Sequence, residues 1–179
     1  MMNTPLLLTS FLKRAERYFP HKEIISRTGP ETIHRFTYGE YAKRTQKLAA
    51  ALTGLGMTKG TKVGTFAWNT HRHLEAYFAI PCSGAILHTI NIRLAPERIV
   101  YIVNHAEDEI LLIDGDLFPL VEPALPLLTT VKHVIVMSDS KEAPVSNFPS
   151  VHSYEALLDA ADEHFDFPDD LDENLPAGM

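Results

Sequence analysis

Between Val63 and Met137, apolar segments of strand length alternate with segments of helical periodicity, and this alternation constrains the fold more than any other feature. Val63–Trp68, Ala85–Ile90, Glu109–Asp114 and His133–Met137 read as strands, with helices expected over Thr70–Ser83, Pro96–Glu107 and Asp116–Leu128. Within the second helix Ile99, Ile102, Val103 and Ala106 repeat at i, i+3, i+4 and i+7, the face of a helix lying on a sheet. Ile110–Ile113 is a continuous apolar run, as expected of a parallel strand covered on both sides. The expected fold class is therefore α/β, a mostly parallel sheet flanked by helices.

Upstream, Thr4 is placed to cap a helix with Pro5 at its first position. Leu8, Phe11, Leu12, Ala15 and Phe19 form its core stripe, and Pro20 stops it. Glu23–Thr28 and Thr32–Phe36 flank Gly29-Pro30 and read as a hairpin. The sharpest local signal is Phe36-Thr37-Tyr38-Gly39-Glu40-Tyr41. Thr37 and Glu40 form a capping box, Phe36 staples onto Tyr41, and a helix starts at Tyr38. That helix carries Tyr41, Leu48, Leu52 and Leu55 along one side and ends at Gly56, a residue type that tolerates the left-handed conformation.

Beyond Met137 the composition shifts to Ser, Pro and acids, with one helical stretch at Tyr154–Ala161 and eight Asp or Glu between Asp159 and Glu173. The expected organisation is an α/β subdomain over residues 1–138 and an acidic, solvated connecting segment over 139–179. Sixteen Lys plus Arg against 23 Asp plus Glu leave a net charge of −7, which disfavours a nucleic-acid partner. The single Cys82 excludes an internal disulfide and suits a reducing, cytoplasmic setting. No run of apolar residues reaches the length of a transmembrane segment. Lys13, Arg14 and Arg17 give the N-terminus a basic character, but without a secretion signal's apolar stretch it reads as part of the fold.

Local motifs name no reaction. Gly54, Gly56 and Gly60 follow a helix and precede a strand, the reverse of a phosphate-binding turn, so they read as a cap and a turn. A dinucleotide-dependent dehydrogenase lacks its glycine turn for the same reason. His71 and His73, two apart, would leave a helix on different sides and read as helix-start residues rather than metal ligands. His88 reads as a hydrogen-bonded histidine in an apolar strand, Cys82 as an inert buried thiol, and no nucleophile elbow occurs.

Taken in order, the capping-box segment, Leu48–Leu52, Lys59–Gly64, Trp68-Asn69-Thr70, Glu75–Ile80, Leu87–Leu94 and Tyr101–Ala106 resemble the opening of the adenylate-forming, AMP-binding superfamily. The wording of Trp68–His71 and Leu87–Leu94 is most similar to medium- and long-chain fatty-acyl-CoA synthetases. The resemblance implies the first part of the large N-terminal domain of such an enzyme. It also implies a two-step reaction, in which a fatty acid and ATP form an acyl-adenylate and CoA then displaces AMP. A phosphate loop, Mg2+ and a mobile C-terminal domain serve that chemistry in the family. No such loop occurs in this sequence, and Asn174–Met179 resembles the stretch that precedes it. The expectation is a segment truncated before the loop, inactive alone, with no catalytic or metal-ligating residue of its own and no tight binding of ATP, Mg2+ or CoA. One contact carries over from the family: Arg93, in Asn91-Ile92-Arg93-Leu94, corresponds to an arginine that reaches a CoA phosphate in some relatives. Some synthetases also dimerise through this region, which implies a homodimer. The alternative expectation is a non-catalytic binding or oligomerisation module derived from the family.

Overall fold

The structure, a computed structural model, describes residues 5–179. In chain order its elements are α1 (Leu8–Tyr18), β1 (Glu23–Arg27), β2 (Ile33–Thr37), α2 (Tyr38–Gly54), β3 (Lys62–Phe66), α3 (His71–Cys82) and β4 (Ile86–Thr89). There follow α4 (Pro96–Ala106), β5 (Ile110–Asp114), α5 (Phe118–Val121), a 3-10 turn (Glu122–Leu127), β6 (His133–Met137), β7 (Val151–Ser153) and α6 (Tyr154–Ala160).

The strands β4-β3-β5-β6-β7 lie in that order, every neighbouring pair parallel, while β1 and β2 form a separate antiparallel hairpin. Because successive strand residues point to opposite faces, Ile110 and Leu112 enter one core and Leu111 and Ile113 the other. The first core packs Leu48, Leu52, Ala76, Ile80 and Leu158 of α2, α3 and α6 on the sheet; the second packs Ile99, Val103, Phe118 and Val121. Each fully buried aliphatic side chain contributes about 1.5–3 kcal/mol, so the two layers are the main source of stability.

The capping box forms as read. Thr37 Oγ1 accepts from Glu40 N at 3.3 Å, Glu40 Oε2 accepts from Thr37 N at 2.7 Å, and the Phe36 and Tyr41 rings meet edge-on at 6.1 Å. Gly56 has φ +97, the left-handed value expected after the helix.

Three expectations need correction. The first helix begins at Leu8 rather than Pro5, because Leu6 N donates to Glu173 Oε2 at 2.6 Å and holds that stretch against the distant acidic segment. Thr4, its expected cap, lies outside the described residues. Only Leu12 of the expected stripe is fully buried; Phe11 and Phe19 are at least half exposed, since nothing among the described residues covers that side of α1. The helix expected over Asp116–Leu128 is a single turn followed by a 3-10 stretch, because Pro119, Pro123 and Pro126 remove amide donors.

Residues 139–179 include more than solvated chain. They supply β7, α6 and the half-buried Phe165 and Phe167, which pack on the first core. Ala177–Met179 runs parallel along the free edge of β4, with Leu87 N donating to Ala177 O, Met179 N to Leu87 O and Thr89 N to Met179 O at 2.9–3.2 Å.

Candidate functional site at the carboxyl rim of the sheet

The chain leaves β3 for β4 over one face and returns to β5 over the other, so the carboxyl ends of β3 and β5 form a topological switch point, where open α/β sheets bind ligands. Two short loops meet there. Trp68 N donates to Asp114 Oδ2 at 2.6 Å and its indole Nε1 to Asp116 Oδ2 at 3.0 Å. Burial pushes the Asp114 carboxyl up to about 6, against the pull of that Trp68 amide.

The first turn of α3 forms the adjoining wall. His71 N donates to Ser26 Oγ at 2.9 Å, which ties the hairpin to the helix start. The His71 ring stacks on His34 with centroids 3.9 Å apart, and burial, with Arg72 nearby, depresses it to about 3, so it is neutral at pH 7. His73 Nε2 lies 3.1 Å from Thr65 Oγ1 on β3. Arg72 is held by Glu155 Oε1 at 2.8 Å and by Asp139 just past β6. One turn on, Glu75 is fully buried; its Oε1 accepts from Arg44 Nε at 2.7 Å and its Oε2 from the Tyr154 hydroxyl. Arg44 also reaches both oxygens of Glu155, each at 3.0 Å. A cavity of about 370 Å³, lined by Ile24, Ser26, Asn69, Thr70, His71 and Tyr77 among others, opens beside this wall.

With its imidazoles His71 and His73 buried and their protonation disfavoured, and its guanidiniums committed to carboxylates, the wall is suited to shaping and binding rather than to proton transfer. Sequence reasoning missed this network because its ion pairs join residues 31 to 111 apart in the chain, and Arg44, Asp139 and Glu155 fall in no motif. Only the run of four polar residues interrupting an otherwise apolar helix, His71 to Glu75 around Leu74, hinted at it.

The individually singled-out residues fall as follows. Arg93 sits in the exposed turn between β4 and α4, at the same carboxyl end; its amide donates to Asn91 Oδ1 at 3.0 Å, and no carboxylate among the described residues pairs with its guanidinium. His71 and His73 take different partners and do not converge on one point. His88 is buried, with Nδ1 2.7 Å from Asp108 Oδ2. Cys82 is buried and its thiol is pushed up to about 12 by burial. Among the described residues no three His, Cys, Asp or Glu side chains gather as a metal set.

An open parallel sheet with helices on both faces defines a doubly wound α/β domain, with a cavity beside the carboxyl rim of its sheet. The AMP-binding enzyme family model matches residues 11–174, so the chain belongs to that family. It is 39% identical, over its whole length, to the 3-methylmercaptopropionyl-CoA ligase of Ruegeria lacuscaerulensis, of which it covers 33%. To the long-chain-fatty-acid–CoA ligase of Thermus thermophilus it is 48% identical over 139 residues, 78% of this chain and 26% of that one. A solved long-chain-fatty-acid-CoA ligase from Archaeoglobus fulgidus superposes with a TM-score of 0.82 at 21% identity, over 99% of this chain and 34% of that one. The chain thus spans about a third or less of the length of these relatives.

Proposed function

We propose that the chain is the N-terminal portion of an ATP-dependent fatty acid–CoA ligase, working as part of a longer polypeptide and inactive alone. The observation that carries this reading is its likeness, along its whole length, to CoA ligases of which it spans a third. In the proposed reaction the fatty carboxylate attacks ATP, displaces pyrophosphate and becomes an acyl-adenylate; the CoA thiol then displaces AMP. A bare carboxylate has oxide as its leaving group, whereas the mixed anhydride expels a weakly basic phosphate. ATP, Mg2+ and the reacting groups are held outside the described residues. This portion supplies the sheet and the wall built on Arg44, Arg72 and Glu75.

Arg93 is assigned to a phosphate of CoA. Its exposure, with no carboxylate partner among the described residues, leaves its five N–H donors available, and a guanidinium fork matches a phosphate through two parallel hydrogen bonds. A homodimer is also assigned, supported by the uncovered Phe11 on α1 and Phe19 just past it, together with a cytoplasmic setting; among the described residues no helix is long and apolar enough to cross a membrane. The test is thioester formation by the longer protein from a medium- or long-chain fatty acid, ATP-Mg2+ and CoA. Arg93→Ala should raise the KM for CoA about tenfold, equivalent to about 1.4 kcal/mol, while leaving acyl-adenylate formation unchanged. Unchanged CoA dependence removes the Arg93 assignment. Absence of thioester, with a self-associating chain in light scattering, would replace the ligase by a non-catalytic oligomerisation module.

A further inference from the structure

At the far edge of the sheet, away from the carboxyl-rim wall, β6 opens with His133 and β7 carries His152, with Ser150 just before that strand. His133 Nδ1 and His152 Nε2 are 3.3 Å apart, and each lies close to the same hydroxyl: Ser150 Oγ is 2.8 Å from the first and 2.9 Å from the second. The rings stand 5.5 Å apart, inclined at 46°, and all three side chains are half-buried. Two ring nitrogens from adjacent strands are therefore directed at one point that solvent reaches.

The triangle has the dimensions of a coordination face. Ligand atoms about 2.0–2.1 Å from a transition-metal ion stand roughly 3.0–3.4 Å apart at octahedral or tetrahedral angles. The nitrogen separation falls inside that range, and the two Ser150 distances are within a few tenths of an ångström of it. At 3.3 Å the nitrogen pair is longer than the usual range of an N–H hydrogen bond, and the same spacing accommodates two lone pairs on a common cation. The backbone holds the pair in place: β6 and β7 are in register from Val134 and Val151, and Val134 N donates to Ser150 O at 2.9 Å.

We propose that His133 Nδ1 and His152 Nε2, with Ser150 Oγ as a weak third donor and water completing the shell, form a surface site for a divalent transition cation of the zinc, nickel or copper class. Imidazole nitrogens select such ions over magnesium and calcium, which take oxygen ligands. The site is separate from the proposed ligase chemistry and does not depend on it. Nor does it contradict the absence of a three-residue metal cluster, because only two of its donors are of the usual ligand types.

The test is titration of the 179-residue chain with Zn2+ by calorimetry and by competition with a chromogenic chelator at pH 7.5, repeated with His152→Ala and with His133→Gln. One equivalent is expected to bind with Kd in the micromolar range, weakening at least tenfold in either variant and on acidification to pH 5.5, while Mg2+ does not compete. Far-ultraviolet circular dichroism checks that each variant retains its fold. Should one fail to, Ser150→His, which adds a third imidazole, is expected to tighten Zn2+ binding at least tenfold. Zn2+ affinity unchanged in folded His152→Ala, no tightening in Ser150→His, or no binding up to millimolar Zn2+, would each overturn the proposal.

Discussion

Arg44 and Glu75 meet across α2 and α3 with Nε 2.7 Å from Oε1, and the Glu75 carboxylate has no exposure to solvent. Burial pushes the Glu75 pKa up while Arg44 and Tyr154 pull it down, and the guanidinium remains charged through its hydrogen bonds to Glu155 and Glu75. Removing one partner strands the other charge, which costs about 3–5 kcal/mol for a buried pair. Arg44→Met, whose guanidinium is itself partly exposed, should lower the midpoint of urea unfolding markedly; Arg44→Met with Glu75→Leu should recover much of the loss. A double variant no better than the single one would contradict the assignment of the cost to the orphaned carboxylate.

Thr37 caps α2 through Glu40 N. Thr37→Ala should destabilise the chain by about 0.5–2 kcal/mol, and Thr37→Ser should restore most of it. Denaturant melts of the two variants, with unchanged m values, check this.

The buried ring of His71 has its pKa depressed to about 3 from the ordinary 6.5. Between those values the unfolded chain binds a proton that the folded chain refuses, so stability falls as pH drops below about 6.5. His71→Phe, which keeps the stacking on His34, should flatten the decline between pH 6.5 and 4. An unaltered slope in pH-dependent unfolding would show that other groups carry it.

Asp114 has the opposite sign. Its folded pKa is raised from 3.8 to about 6 by burial, so the folded state holds the proton more tightly and stability falls as pH rises from about 4 to 6. The linkage is worth up to about 3 kcal/mol. Asp114→Asn keeps an oxygen for the Trp68 amide and should remove that decline, leaving the variant at least as stable as the parent at pH 7; a large loss at pH 7 contradicts the assignment.

Much of this architecture is legible in the residues themselves. The Ile110–Ile113 run, the Ile99–Val103 stripe and the Thr37–Glu40 box are local patterns whose periods or spacings identify their partners, and the parallel sheet follows from them. What escaped depends on distant chain. Leu6 is drawn to Glu173, so the first helix starts late, and β7 completes the sheet from a segment whose composition reads as linker, while the helical stretch at Tyr154–Ala161 forms as α6. Between Asp116 and Leu128, Pro119, Pro123 and Pro126 stand in the sequence, and their missing amides limit the helix to a single turn followed by a 3-10 stretch. At the rim, Trp68, Thr70 and His71 were part of a recognisable stretch, whereas Arg44, Glu155 and Asp139 join them only through the fold.

Fatty-acid-dependent exchange of labelled pyrophosphate into ATP, run without CoA on the 179-residue chain and on the longer protein that contains it, tests the proposed function most directly. The account predicts exchange by the longer protein with medium- or long-chain fatty acids and none by the chain alone. No fatty-acid-dependent exchange by the folded longer protein, or exchange catalysed by the chain itself, would contradict it.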